Sequence, residues 1–339
     1  DITEKDMQMA SFDYEHEVSA NISFGGNIFY RKNKTDSFNG DGSEFAVCSL
    51  GGMPQLLDEI EEDDLEELGL IDSDICNNQF ANSDALEAFL NQTASMLEID
   101  ADFNLEDFTD DISGSGILSD EAINNLSDRA QESVGADFQW TIRGNFLGYS
   151  SQVIAGGAYY RGESNFNSIL ELAELDPISR LTLGLGTATF VDSEETSINT
   201  ETESSSLYIS NTMDLSSTVA LTLSARGNYT DVTLRDRSGV RPELNGSHNF
   251  SRVNPSLGLT WQASDSHTLY TSYSESSRAP TPIELACNEG VFDLAVAFAI
   301  EAGEDPGDVD LECRLPNAFL ADPPLDDVIA KSFELGSRG

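Results

Sequence analysis

Two runs of strict two-residue alternation, both inside the stretch from Ser217 to Tyr273, constrain this chain more than any other feature. In the first, Val219, Leu221, Leu223, Ala225 and Tyr229 fall on one side of an extended backbone. Thr218, Thr222, Ser224, Arg226 and Asn228 fall on the other. In the second, Val253, Pro255, Leu257, Leu259 and Trp261 share one face, opposite Arg252, Asn254, Ser256 and Thr260. A tight Ala263-Ser264-Asp265-Ser266 turn then reverses the chain.

Alternation alone does not say which face meets solvent, because a water-soluble sandwich buries its apolar side. The polar face tips the reading. It carries Arg226, Asn228, Arg252 and Asn254 without a matching second apolar layer, and the strands are long. That combination fits an all-β, antiparallel transmembrane barrel with its apolar side out and its polar side in.

Charge and hydropathy narrow the choice further. The 339 residues hold 61 Asp and Glu against 17 Lys and Arg, a formal net charge of -44. Nucleic acid is excluded as an expected partner, since phosphate binding needs a basic footprint. No apolar run reaches about 18 residues, so no transmembrane helix is encoded. A membrane role must then use closed strands, because lipid satisfies no backbone hydrogen bonds. The chain starts at Asp1 without Met or leader, which fits either a removed signal peptide or an internal piece of a longer protein, and its stop at Gly339 inside a strand-like run favours the piece.

Taken in order, residues 4 to 15 read as a strand with Gln8, Ala10, Phe12 and Tyr14 on one side, reversing near His16 to Ser19. Ile22, Phe24, Gly26, Ile28 and Tyr30 form the next strand. From Asp41 to Glu132 there are 25 acidic residues and one basic residue, Arg129, and alternation vanishes. Near-helical spacing over Met53 to Leu68 and over Asp84 to Leu97, and a capping Ser at the head of Ser119 to Ala130, predict short helices there. Strands resume with Phe138, Trp140, Ile142, Gly144 and Phe146, turn near Tyr149 to Ser151, and return with Ile154, Gly156, Ala158 and Tyr160. Leu181 to Val191 is a candidate for a small extra hairpin, and Ser205 to Met213 forms a strand that turns at Asp214 to Ser217.

Reversals at 15–19, 149–151, 214–217 and 263–266 are tight, whereas connections at 32–135, 164–200, 236–249 and 277–327 are long. Short turns at one end and long loops at the other are the asymmetry of outer-membrane barrels. Aromatics near the strand ends, among them Tyr30, Phe138, Trp140, Tyr149, Tyr160, Tyr208, Tyr229, Trp261 and Tyr273, suit interfacial girdles.

The four cysteines fall two and two in long loops, Cys48 with Cys76 and Cys287 with Cys313. They read as two local disulfides in an oxidising compartment, although three connectivities are open. Zinc lacks a C-x-x-C, and His16, His248 and His267 lie far away in sequence. Asp100, Asp102, Asn104, Glu106 and Asp111 have calcium-loop spacing, but Leu105 stands where the sharp turn needs Gly. Asp265-Ser266-His267 holds triad residue types, yet neighbours on a strand point to opposite faces. No catalytic constellation, metal site or cofactor is therefore expected.

The run Leu269-Tyr270-Thr271-Ser272-Tyr273-Ser274-Glu275-Ser276-Ser277-Arg278-Ala279-Pro280-Thr281-Pro282-Ile283-Glu284-Leu285 resembles the signature of TonB-dependent outer-membrane receptors, in which a strand ends in Arg-Ala-Pro followed by Glu-Leu. Lys331-Ser332-Phe333-Glu334-Leu335-Gly336 is similar to that family's Lys-Ser-aromatic-Glu-x-Gly strand opening. Arg278, Pro280, Glu284, Lys331 and Glu334 carry the resemblance, while Ser277 departs from the aromatic common before the Arg.

The resemblance implies a barrel of about 22 strands closed around a plug, of which residues 1–339 supply about nine and the long loops. It further implies outer-membrane lipid, a plug domain of the same full-length chain, an inner-membrane TonB energy-coupling complex and a small-molecule or glycan ligand as partners. The implied activity is import of a scarce nutrient such as a ferric siderophore, haem, cobalamin or glycan. Arg226, Asn228, Arg252 and Asn254 would line the lumen and meet ligand or plug. The alternatives are a passive porin-like barrel and a secreted acidic adhesin stabilised by calcium. The acidic exterior is expected to suit neutral or cationic ligands, unless salt screens it.

Overall fold

A computed structural model of the chain describes residues 2–43, 45–57, 68–70, 75–76, 79–97, 112–116, 118–119, 121–184, 188–239, 241–287, 289–302 and 326–339. Its elements are β1 (Ile2–Ser19), β2 (Ile22–Gly42), β3 (Ala46–Leu50), β4 (Met53–Leu57), α1 (Ser83–Leu97), β5 (Ile112–Gly114), β6 (Ala122–Phe146) and β7 (Tyr149–Leu175). They continue with β8 (Thr182–Gly184), β9 (Thr189–Asp214), β10 (Val219–Asp236), a 3-10 turn at Pro242–Leu244, β11 (Gly246–Ser264), β12 (His267–Arg278), α2 (Pro282–Ala286), α3 (Glu289–Ala302) and β13 (Val328–Arg338). Nine strands follow one path, β1-β2-β6-β7-β9-β10-β11-β12-β13, as the strand count expected. No helix among the described residues is long and apolar enough to cross a membrane.

The chain divides into two compact units, one of residues 6–34, 130–165 and 198–339, the other of residues 1–5, 35–129 and 166–197.

In the first unit, register turns the sequence alternation into two continuous faces. Val219 pairs with Trp261, Leu221 with Leu259, Leu223 with Leu257 and Ala225 with Pro255 across β10 and β11. On the other flank, Leu221 lies opposite Met213, Ala225 opposite Ile209 and Gly227 opposite Leu207 of β9. Most of this apolar face lies open, with Leu207 70% exposed, Val253 67% and Trp261 48%, while Met213 near its lower edge is 7% exposed. On the polar side Asn254 is only 8% exposed and Ser224, Asn228, Arg252 and Ser256 are half-buried, while Arg226 and Thr260 are exposed. A water-soluble sandwich has the reverse arrangement.

The apolar stripe has a defined height. Val219 and Tyr229 are ten residues apart on β10, which at ~3.3 Å per residue and a tilt of about 40° spans about 25 Å, the height of a lipid-facing band. Above Tyr229 the same face turns charged. Asp231 lies opposite Glu203, Thr233 opposite Glu201; Arg161 pairs with both glutamates, and Tyr159 donates to Glu203 at 3.1 Å. At the lower end Phe24 and Trp140 pack with ring centroids 4.8 Å apart.

β7 faces the opposite way from the sequence expectation. A Cβ on Gly156 would meet the Tyr208 hydroxyl of the polar face, whereas one on Gly157 would meet apolar Leu207 and Phe138. Gly157 and Tyr159 therefore share the apolar side, and Ile154, Gly156, Ala158 and Tyr160 the polar one. Both parities of Val153 to Tyr160 are oily or small, so alternation could not choose between them.

Two reversals also move. The first lies at Ala20 and Asn21, beyond His16 to Ser19, and the β6–β7 turn lies at Leu147 and Gly148, before Tyr149 to Ser151. Leu147 and Gly148 both have positive φ, 54° and 87°. That is the geometry two-residue hairpins favour for their twist, here with an uncommon Leu in the first place.

The second unit has its own cores. Leu86, Leu90 and Ala94 lie along one face of α1, fully buried against Cys48, Leu50, Leu68 and Ile75. Asn82 caps the helix by accepting from the Ala85 N–H at 3.1 Å. Cys48 and Cys76 form a disulfide beneath it. Phe45, Leu56, Leu172 and Val191 make a separate cluster.

The helix expected over Asp84 to Leu97 is α1. Met53 to Leu57, expected to open a helix, is instead β4, paired with β3 from Leu50–Met53 to Ala46–Leu57; residues 58–67 lie outside the described residues. Ser119 to Ala130, expected to be helical, begins β6: Asn124 is buried and donates to Glu171 at 2.9 Å. The hairpin expected at Leu181 to Val191 does not form from its own two arms. β8 pairs with β7, and the start of β9 pairs with β5. The expected loops are accordingly shorter, because β2 runs on to Gly42, β6 begins at Ala122, β7 ends at Leu175, β9 begins at Thr189 and β11 begins at Gly246. The calcium-like spacing from Asp100 to Asp111 lies outside the described residues.

Candidate functional site

Register sets the polar side chains of β9, β10 and β11 on a grid. Tyr208, Arg226 and Asn254 form one row across the three strands, and Ser206, Asn228 and Arg252 form the next. Below them lies a hydroxyl row of Ser210, Ser224 and Ser256, and above them Ser204, Thr230 and Phe250. Side chains opposite one another on neighbouring strands sit about 5 Å apart, so such rows interact directly. Ser210 and Ser224 hydroxyls meet at 2.7 Å, and those of Ser204 and Thr230 at 3.0 Å.

Arg226 is held from two sides. Its Nε donates to Asn228 Oδ1 and its Nη2 to Ser206 Oγ, each at 2.8 Å, and its guanidinium lies 5.8 Å from the centre of the Tyr208 ring. Tyr208 in turn donates to Gln139 at 3.1 Å. None of these partners is an acid.

Arg252 has a different environment. The ladder from β11 to β12 stops at Ser256–Ser274, beside Pro255, which has no N–H to give. Above that point Arg252 Nη2 donates to Glu275 Oε2 at 2.8 Å, and Asn254 Nδ2 donates to Ser277 Oγ at 3.0 Å. Tyr273 donates to the other oxygen of Glu275 at 2.6 Å. Arg252 Nε and Asn254 Oδ1 are buried without a partner among the described residues.

All four residues expected on the polar face, Arg226, Asn228, Arg252 and Asn254, line a single cavity of about 790 Å³. Arg278 and Pro280 line it too, with Ala279, Thr281 and Pro282 as its wall. Arg278 grips Glu284 through two parallel bonds of 2.8 and 2.7 Å. Glu284 also accepts from the Thr281 N–H at 2.7 Å, completing a capping box that starts α2. The Arg278 guanidinium, with the Thr281 N–H, holds the Glu284 carboxyl down at about 2.

Lys331 and Glu334 do not line the cavity. They sit on β13, Lys331 opposite Glu275 and Glu334 opposite Ser272. Cys48 and Cys76 belong to the other unit; Cys287 is disulfide-bonded as well, and Cys313 lies outside the described residues. Cys48 lies on β3 rather than in a loop. Among the described residues no group of His, Cys, Asp or Glu could hold a metal. Asp265 and Ser266 form a turn, not a strand, which brings Ser266 Oγ to 2.9 Å from His267 Nδ1.

Sequence reasoning missed Tyr208, Ser206, Tyr160 and Glu275 as cavity residues. Tyr208 and Tyr160 read as girdle aromatics, but register places Tyr208 beside Arg226 and the packing of Gly156 puts Tyr160 on the same polar side. The Ser205 to Met213 strand was recognisable, but which of its residues stands beside Arg226 depends on pairing.

The sequence matches the family described as TonB dependent receptor-like, β-barrel, over residues 1–339. The chain belongs to this family. Among solved structures, the receptor segment is similar to the ferric citrate transporter FecA in its unliganded form, with a TM-score of 0.53 at 11% identity over 99% of this chain and 32% of that one. It is also similar to the siderophore receptor PiuA from Acinetobacter baumannii, with a TM-score of 0.50 at 11% identity over 99% of this chain and 38% of that one. The receptor segment thus spans about a third of the length of these two proteins, and at such identity the likeness is one of fold. No curated protein sequence matches it. TonB-dependent receptors are bacterial outer-membrane proteins, and the open apolar face of β9 to β11 is what that location requires.

Proposed function

We propose that the full-length protein is an energy-coupled outer-membrane uptake receptor and that this segment supplies part of its barrel wall. The observation that carries the reading is the inversion of faces on β11, with Val253 open and Asn254 covered. Lipid covers the apolar face. Arg226, Asn228, Arg252 and Asn254 face the lumen, where ligand or a plug of the same full-length chain meets them, and the external connections meet ligand first. Coupling to a TonB complex runs through parts of the protein outside this segment. The cargo is a small molecule or glycan that is scarce outside the cell. The names of the two similar structures, a ferric citrate transporter and a siderophore receptor, make iron chelates the first class to try.

Uptake into a deletion strain tests the reading. Complementation with the full-length gene restores accumulation of one labelled nutrient among iron chelates, haem, cobalamin and oligosaccharides, and collapsing the proton gradient abolishes it. Accumulation that survives collapse indicates a passive pore and contradicts the proposal.

A further inference from the structure

On three rising strands of the first unit, the apolar face ends in a tyrosine and the next residue on that face is charged. The triplets are Tyr30-Arg31-Lys32 on β2, Tyr159-Tyr160-Arg161 on β7 and Tyr229-Thr230-Asp231 on β10. Each tyrosine is exposed, as aromatics at a membrane interface are. A step of two residues, at ~3.3 Å per residue and a tilt of about 40°, puts the charge about 5 Å above the ring. The long connections leave from this end, which makes it the outer one.

Neighbouring strands extend these charges into a belt. Lys32 meets Glu132 of β6 at 2.6 Å, and Arg161 meets Glu201 and Glu203 of β9. Arg235, on the same face of β10 above Asp231, lies 3.9 Å from Glu201 and donates to Asn199 at 3.4 Å. A chain with 17 Lys and Arg in 339 residues thus places three of them on one outward belt. Stability does not account for that placement, because all three side chains are about half exposed and ion pairs so open to solvent contribute little. A phosphate carries more charge and more acceptor oxygens than a carboxylate, so it can take the place of a glutamate beside these cations at small cost.

We infer that Lys32, Arg161 and Arg235 form a docking surface for the phosphates of the outer-leaflet glycolipid, with divalent cations joining those phosphates to the glutamates between them. Two observations argue for this occupant. The belt is continuous with the lipid-facing band, starting where the apolar face ends, and a bilayer's phosphates start where its hydrocarbon ends. Its cations complement the anionic headgroup, while Glu132, Glu201, Glu203 and Asp231 would repel that headgroup unless a divalent cation lay between. The inference rests on lipid covering the apolar face and goes beyond uptake.

The test is retention of labelled lipid A, the bisphosphorylated anchor of that glycolipid, by the full-length receptor in detergent with magnesium present, compared with the same lipid stripped of both phosphates. The phosphorylated form is retained at least about fivefold better. A chelator lowers that ratio. Arg161→Gln combined with Arg235→Gln removes most of the preference, and Arg161→Lys combined with Arg235→Lys keeps it. Arg338→Gln, near the tight β11–β12 turn at the other end of the sheet, leaves it intact. Heat-modifiable migration confirms that each variant is folded. Equal retention of the two lipids, a preference indifferent to the chelator, or one that survives the double glutamine variant overturns the docking surface. If that variant melts lower by the same amount in both lipids while the preference persists, the arginines serve only the strand pairs and the inference is refuted. Energy-dependent uptake of a nutrient does not depend on this preference, so the two proposals fail separately.

Discussion

Val253 and Asn254 are adjacent in the chain and opposite in environment, the valine 67% exposed and the asparagine 8%. Repeated along a whole face, the hydrophobic effect disfavours that ordering in water, where burying apolar area contributes about 25 cal/mol per Å². It becomes the favourable ordering when hydrocarbon covers the valine side. A charge placed on that side near mid-band should then be costly. Leu223 lies six residues below Tyr229, and Leu223→Arg is expected to destabilise the full-length protein in vesicles by about 2–4 kcal/mol. Ser224→Arg, one residue on, should cost less than half as much, with both read from denaturant unfolding.

The Arg278–Glu284 clamp gives a pH signature. The Glu284 carboxyl is held at about 2, below its unfolded value, so its contribution is fully present above about pH 4.5. It is lost as pH falls through about 2. The pair is partly exposed, which limits its strength, and loss of the cap adds about 1 kcal/mol. Glu284→Gln should make residues 279–287 cleavable by pepsin at pH 3, where the parent resists.

How far the sequence reached depends on what each face carries. β10 and β11 were legible because nearly every second residue from Val219 and Val253 is apolar, while most of the residues between them, Ala220 and Gly258 aside, are polar. β7 was not, because Val153 to Tyr160 is oily on both sides and only the packing of Gly156 and Gly157 distinguishes them. The outer ends of β2, β6 and β9 read as loop or helix because their few apolar residues, such as Phe38, Ile123, Leu126, Val191 and Ile198, are too widely spaced among polar ones to show a two-residue period. All four polar-face residues came from sequence. Their assembly around one cavity did not, since it follows from strand pairing and from the stop in the ladder beside Pro255.

The β6–β7 turn should be open to improvement. Leu147 holds a left-handed conformation, φ 54°, and is 78% exposed, so its side chain offsets little of the cost. Leu147→Asn is expected to raise stability by about 0.5–1 kcal/mol, and Gly148→Val to lower it by more, as shifts in the denaturation midpoint.

The Cys48–Cys76 bond closes a loop with a sequence separation of 28, for which chain entropy contributes about 3–4 kcal/mol. Cys48→Ser should loosen the α1 core, where Leu86 and Leu90 pack on Cys48. Proteolysis within 45–97 should rise on reduction or substitution, while heat-modifiable migration of the barrel is retained.

The central claim is that lipid lies against the apolar face of β9 to β11. Fluorophores attached to Leu223→Cys and Ser224→Cys in the full-length receptor, reconstituted into vesicles of brominated lipid, test it directly. The account predicts strong quenching at position 223 and little at 224. Equal quenching at both positions, or stronger quenching at 224, would contradict it.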